Sequence, residues 1–477
     1  MRGIVYENLR IKGYDFISIL DLSIENEINE HGKLKLKAMI SKSLETNYIE
    51  ETEKEIEVYI KKDNSEEVDK VLFHGYVTKM DIKVMRGIKI IEIEGKTMSY
   101  LLDKNKKSRS FQNIKLRYND LISKILEEYK NINYIINIPN EEVNEFIIQY
   151  EETDWQFLKR ISSKFNEGII PGSTSDKIQI YIGTPNVLTK VNEEIHNYRV
   201  IKNLSEYHYM KNNFLKDAKE VDYTTIEIKS NEILKIGEHI PYKNLEFYVY
   251  KNYYAIRGGI MENVYLLRNK NGLRTEKVYN KKVCGSSING KIINTKGELV
   301  QIHLDIDKVQ DKGEAYWFKF STMAASSDGS GWYCMPEVGD SVRVYFPTKD
   351  EDAAFAVSAV SEYLFNGEDG KEDLMGNPDD KYLKTANDKS VRLTPEGIFL
   401  SCNGGVADVK LKSDGTVSIS SANNVNITSE NDIKIEASKK IKIAAKETVY
   451  IGSDKNSAIE LDGEGNIKEL GVTVNNN

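Results

Sequence analysis

Between Val409 and Asn456 the chain repeats every eight residues. Each repeat opens with two branched apolar residues one position apart: Val417/Ile419, Val425/Ile427, Ile433/Ile435, Ile441/Ile443 and Val449/Ile451. Alternation at period two puts the odd-numbered positions on one face of an extended strand and the even-numbered ones on the other. The odd face continues with a small residue (Ser421, Ser429, Ala437, Ala445, Ser453) and then a turn-tolerant or long polar one (Asn423, Asn431, Lys439, Glu447, Lys455), while the even face is mostly polar. Ordering eight residues costs roughly 8 to 16 kcal/mol of backbone entropy. Burying two Val/Ile side chains returns only about 3 to 6 kcal/mol. Neighbouring chains must supply the rest, so the pattern predicts an intertwined β-prism of identical chains about one axis, with these ten apolar residues as its core. The alternative is a run of ordinary hairpins in a monomeric sheet. Its expected Asp-Gly turns are found at Asp414-Gly415 and Asp462-Gly463, at the start of the array and just past its end, and not between the repeats.

Upstream, Ile4 to about Glu94 alternates apolar and polar residues, as in IEVYIKK and IKIIEIEG, and predicts a first β-barrel over 1–99. Residues 100–174 read as helical. Tyr118, Leu121, Ile122, Ile125, Leu126 and Tyr129 form one helical face, and Thr153 with Gln156 forms a capping box before a second helix. Short strands such as TTIEIKS and KNLEFYVYKNYYAI predict a second barrel over 175–282. VQIHLDI, YWFKFST and SVRVYFP predict a compact five- or six-stranded oligonucleotide-binding-type barrel over 283–365. The Gly-, Asp-, Asn- and Lys-rich stretch 366–390 reads as a linker into a spike over 391–477. The expected class is mainly β with a few helices.

Charge and cysteine content narrow the function. With 66 Lys+Arg against 74 Asp+Glu in 477 residues, the chain is mildly acidic and has no basic block, which argues against nucleic-acid binding. Cys284, Cys334 and Cys402 are too few and too scattered for a disulfide framework or zinc site. The segment MRGIVYENLRIKGYDF lacks a signal-peptide apolar region, and no stretch approaches a membrane span. The expectation is a protein made in the cytoplasm and carried outward by another machine.

Four stretches then carry a family resemblance. FHGYVTKMDI (Phe73 to Ile82) is similar to a strand-turn F-x-G signature, and YLLDKNKKSRSFQN (Tyr100 to Asn113) to an LL…R-x-F-Q-N segment. QYEETDWQFLKRISSKFNEGI (Gln149 to Ile169) is the most specific match, and MPEVGDSVRVYFPTKDEDAAFAVSAV (Met335 to Val360) resembles the barrel's P-x-v-G-d-x-V loop and strand. Together with the octads, the chain resembles the VgrG family, the fused hub and spike proteins of contractile injection machines. The resemblance implies a homotrimer whose hub caps a hexameric inner tube among baseplate proteins and whose prism pierces a target envelope, with a separate tip cap protein in some systems. The chain departs from relatives that carry a lysozyme insert, an iron-binding His-x-His tip or a toxin extension. All six histidines, His31, His74, His196, His208, His239 and His303, lie upstream of the octads.

Enzymatic chemistry finds little support in the residues. Glu151, Glu152 and Asp154 beside Trp155 suggest a sugar site, but acidic residues at a helix start favour its dipole, and a capped structural helix is the simpler reading. His74 and His303 sit in strands with no nucleophile motif nearby. The barrel aromatics Tyr316, Trp317, Phe318, Phe320, Trp332, Tyr333, Tyr345 and Phe346 lack the basic groove of a stacking platform and read as core and trimer contact. The expected function is a non-enzymatic central spike with no cofactor and no metal. The alternative is a phage tail enzyme degrading cell-wall or surface polysaccharide on a β-helical scaffold.

Overall fold

The computed structural model describes residues 8–41, 54–62, 65, 67–185, 187–188, 197–242, 245–257, 259–361, 363–367, 373–453 and 457–473. The chain divides into two compact units, 1–362 and 363–477. Of the features singled out in the sequence, His196, Lys455, Asn456 and the first seven residues lie outside the described set.

The first unit is built around a twelve-stranded sheet. Its alternating segments bury alternate residues: in Lys33–Ile40 the leucines Leu34 and Leu36 point inward while Lys33 and Lys35 face solvent. Two separate barrels were expected, but Ser18–Glu27 pairs antiparallel with Leu245–Arg257, from Ser23 opposite Ala255 to Glu27 opposite Lys251. The two regions therefore share one sheet. They also share one core, in which Leu22, Ile24, Ile56 and Phe73 pack in a single cluster with Val249, Tyr254, Tyr265 and Leu267. Each such fully buried large side chain contributes about 1.5 to 3 kcal/mol.

The stretch 100–174 holds the two predicted helices, α1 (Tyr118–Leu126) and α2 (Asp154–Ser163). It also holds strands: Lys106–Phe111 pairs with Ile147–Thr153, and Ile132–Ile136 runs parallel to Ile178–Ile182. A further helix, α3 (Leu204–Asn213), lies where only strands were expected; Asn203 caps it by accepting from the Glu206 N–H. The small barrel has five strands, ordered Trp317–Lys319, Leu299–Leu304, Ser287–Lys296, Ser341–Tyr345 and Phe355–Ser358. A parallel bridge from Phe320 to Ala356 closes it.

The second unit contains a five-stranded antiparallel meander, Lys381–Lys384, Lys389–Thr394, Gly397–Cys402, Ala407–Lys412 and Val417–Ser421. Its first strand and the start of its second fall within the stretch read as a linker. A three-stranded sheet, Thr448–Ser453, Ser457–Asp462 and Ile467–Leu470, follows. The Asp-Gly turns link strands in both: Gly415 adopts φ +86° between two meander strands, and Asp462 N–H bonds to Asn466 O across the later turn. Residues 422–447, the middle of the octad array, form no strand within the single chain.

Candidate functional site

Three of the motif segments converge where the hub meets the small barrel. Strand Ile147–Thr153 and the residue before it send Phe146 and Ile148, both fully buried, into the barrel core beside Phe318, Val344 and Phe346. The Phe146 ring meets that of Phe318 edge-on at 5.0 Å. Hub and barrel therefore share one hydrophobic core, so neither end of this joint is exposed to water when the other is docked.

A buried ion triad closes the same joint. Arg160 on α2 is 3% exposed; its Nη2 reaches Glu152 Oε2 at 2.8 Å and also donates to Ile148 O, its Nη1 reaches Glu351 Oε1 at 2.6 Å, and its Nε donates to Glu152. Glu351 also accepts from the Ile148 N–H at 3.2 Å. Burial pushes the Glu351 carboxyl above its usual range, and the Arg160 charge opposes that shift. The RSFQN segment adds polar crosslinks to the barrel: Gln112 donates to Ile302 O at 3.1 Å and accepts from Tyr316 N–H at 3.1 Å, and Ser110 N–H donates to Asp307 at 2.7 Å.

Asp154, at the start of α2, is fully buried and receives Lys107 at 2.6 Å, Arg109 at 2.8 Å, Tyr129 at 2.5 Å and Gln149 at 2.9 Å. Burial alone raises its carboxyl, but the bonds from Lys107, Tyr129 and Gln149, with the Arg109 charge, outweigh it and hold the group below the usual range. The capping box is present: Thr153 Oγ1 accepts from Gln156 N–H, and the Gln156 side chain accepts from Thr153 N–H. With Glu152 bound to Arg160, Asp154 held by Lys107 and Arg109, and Trp155 buried against the His31 ring at 4.2 Å, these three residues are engaged in structure.

The other singled-out residues scatter. His74 is buried between Glu55 and Glu57, at 3.1 and 3.0 Å. His303 Nε2–H donates locally to Asp307 O at 3.0 Å. The cysteines are free, and Cys284 and Cys334 are both exposed. Phe318 and Phe346 are core, whereas Trp332 and Tyr333 are exposed. No group of three His, Cys, Asp or Glu side chains suited to a metal occurs among the described residues. The Arg160–Glu351 pairing was missed in the sequence. Its signal is an arginine between Leu158 and Ile161 on a helix whose other neighbours are buried.

The octad residues form a second candidate surface. Val417, Ile419, Val425, Ile427, Ile433, Ile435, Ile441, Ile443 and Ile451 all stand about half or more exposed in the single chain, up to 69% for Ile427, and Val449 is partly covered. A chain carrying nine such side chains in register exceeds what soluble monomers leave in water.

Residues 25–169 match the family described as phage tail baseplate hub (GPD), and residues 290–360 match the type VI secretion system/phage-baseplate injector OB domain. No curated protein matches the chain. Among solved structures, the E. coli c3393 protein, described as a type VI secretion component with structural similarity to T4 bacteriophage tail proteins gp27 and gp5, is similar at TM-score 0.51 and 13% identity, covering 73% of this chain and 98% of its own. A chain of the half-lidded Francisella PdpA-VgrG complex is similar at TM-score 0.53 and 11% identity, covering 86% of this chain and 87% of that one. The chain thus carries a stretch that matches the phage tail baseplate hub family, followed by one that matches the injector OB domain, in a fold shared with these two solved structures.

Proposed function

We propose that this hub protein works as a homotrimer that caps the inner tube of a contractile tail-like machine and pierces the target envelope mechanically, without catalysis. The observation that carries the reading is the octad stripe. Its ten apolar side chains, Val417 through Ile451, lie mostly in solvent in one chain and repeat at a spacing that three copies about one axis can bury together. The hub–barrel joint supports the mechanical part. A shared core around Phe146 and the buried Arg160 triad tie the hub to the barrel, so force applied to one is passed to the other rather than absorbed in a loose linker. Inner-tube protein, baseplate proteins and a tip cap are the partners this role implies, and the finished particle, a phage tail or a type VI assembly, is where the chain acts.

Negative-stain electron microscopy of the purified protein tests the reading. The expected particle has threefold symmetry, with a broad hub and a narrow stalk. A population of single copies at micromolar concentration contradicts it. A peptidoglycan-clearing assay on the same sample should give no activity, and robust hydrolysis would overturn the non-catalytic reading.

A further inference from the structure

We propose that the polar side of the five-stranded meander binds a neutral oligosaccharide, in a hollow bordered by Tyr382, Phe399 and the turn at Gly404 and Gly405. One copy of the chain supplies these residues, so the inference does not rest on the trimeric reading above.

The register of the sheet assembles the site. Tyr382 lies opposite Arg392, Arg392 opposite Phe399, and Phe399 opposite Lys410. Residues directly opposite one another project from the same side of a sheet. The neighbouring row on that side runs Lys384, Ser390, Ser401, Asp408. Aliphatic residues such as Leu383, Val391, Leu400 and Val409 fall on the other side. The two aromatic rings thus sit among charged and hydroxyl groups, away from the side on which the aliphatic residues gather.

A hollow of about 520 Å³ lies on this polar side. Small-molecule sites span roughly 300 to 1,000 Å³. Leu374, from the turn before the first strand, lines it together with Tyr382 and Phe399, so the surface there is concave rather than flat. Gly404 and Gly405 border it with φ of +65° and +95°. A Cβ added at Gly405 would lie 3.4 Å from Asp408 Oδ2, so bare backbone leaves the approach to that carboxylate open.

The charges select the ligand. Arg392 lies over the Tyr382 ring, 5.2 Å from its centroid, and meets Asp380 at 2.6 Å. Lys410 meets Asp408 at 3.1 Å, and Lys384 meets Asp388 at 3.3 Å. Each of these cations has a carboxylate against it, so the hollow offers no excess positive charge to a phosphate or a polyanion. It offers donors and acceptors in fixed positions beside apolar ring faces. A pyranose has the complementary chemistry: C–H groups on one face, which an aromatic ring covers, and a rim of hydroxyls that both donate and accept. Neighbouring hydroxyls can donate to Asp408 and accept from Lys410 while the sugar face rests on Phe399. A lipid tail would strip water from these charges and return no hydrogen bonds. An extended peptide adds to a sheet edge, whereas Arg392 and Phe399 stand on the second and third of five strands.

Fluorescence-anisotropy titration of the whole chain with labelled chitotriose, cellotriose, maltotriose and mannotriose tests the proposal. At least one should bind saturably, and Phe399→Ala should weaken that binding about tenfold. Leu393→Ala, on the aliphatic side of the sheet, should bind as wild type. A second measurement needs no variant. Saturating wild type with the bound trisaccharide should slow acetylation of Lys410 severalfold, read by mass spectrometry against Lys229, an exposed lysine of the first unit. Saturable binding of none of the four sugars overturns the proposal, as does binding that Phe399→Ala leaves unchanged or that leaves Lys410 equally reactive. Binding of labelled polyphosphate in place of all four sugars would make the hollow an anion site and overturn it too.

Discussion

Removing the Arg160 guanidinium would leave Glu152 and Glu351 facing one another inside the joint with no cation between them. Breaking a buried pair in this way typically costs about 3 to 5 kcal/mol, because a buried charge is left uncompensated. Arg160→Met should therefore lose about that much stability in urea denaturation, and a midpoint within error of wild type would contradict the role given to the triad. Asp154 makes a pH prediction of definite sign. A carboxyl held below its unfolded value adds stability above roughly pH 4, the ordinary carboxylate range, and that contribution vanishes as pH falls through the lower folded value. Glu351 and Asp307 are raised by burial and act in the opposite sense, taking up protons in the folded state first. The difference between wild type and Asp154→Asn isolates the first effect: the variant should be less stable at pH 7, and the gap should close in acid. A gap that does not narrow in acid would show that Asp154 is not the ionised partner of Lys107 and Arg109. At this scale the sequence disclosed the helix cap, since Thr153 and Gln156 are three residues apart. It did not disclose Arg160 with Glu351, which lie 191 residues apart and meet only once the barrel is docked.

Among the elements, local patterns were legible and partners were not. Alternation in IEVYIKK matches the burial of Ile56, Val58 and Ile60, because side-chain period is a property of the strand alone. It could not say that Ser18–Glu27 pairs with Leu245–Arg257, so one twelve-stranded sheet was read as two barrels. Helix α3 escaped because its sequence, LSEYHYMKNN, buries only Tyr207 and Met210 and shows no continuous apolar stripe; the Asn203 to Glu206 spacing was its one local signal. The early meander strands escaped for a related reason, since KYLK and KSVRLT sit among the Gly, Asp and Asn residues that mark their turns. Two element-scale predictions follow from the packing. Thr153→Ala removes the cap of α2 and should cost roughly 1 kcal/mol, read by thermal denaturation. Phe146→Ala opens a cavity in the barrel core and should cost about 3 to 5 kcal/mol. Because Phe146 comes from the hub, its loss should also split a single unfolding transition into two, with the barrel melting first; an unsplit transition with unchanged midpoint would show that hub and barrel are not coupled through this side chain.

For the molecule as a whole, the chain is a hub and a barrel joined by a shared core, and a tail whose octad side chains stand largely exposed in one copy. Its two matched stretches are those of a baseplate hub and an injector OB domain, and the resemblance was readable because its motif residues have structural duties: Gln112 and Arg160 reach the barrel, and Arg109, Gln149 and Asp154 bond to one another beside the joint. The octads were readable as a repeat, and in the single chain nine of their ten apolar side chains stand about half or more exposed. The central claim is that the odd octad positions face a shared axis. Ile435→Asp would set three carboxylates in one apolar layer, each costing several kcal/mol to desolvate, whereas Lys434→Asp alters an exposed side chain paired with Glu436 and should change stability by about 0.5 kcal/mol per chain. The decisive measurement is the resistance of the trimer to heat and detergent in these two variants. Loss of the trimer in Ile435→Asp with wild-type resistance in Lys434→Asp is the predicted result; equal loss in both, or in neither, would contradict the inward-facing stripe on which the spike depends.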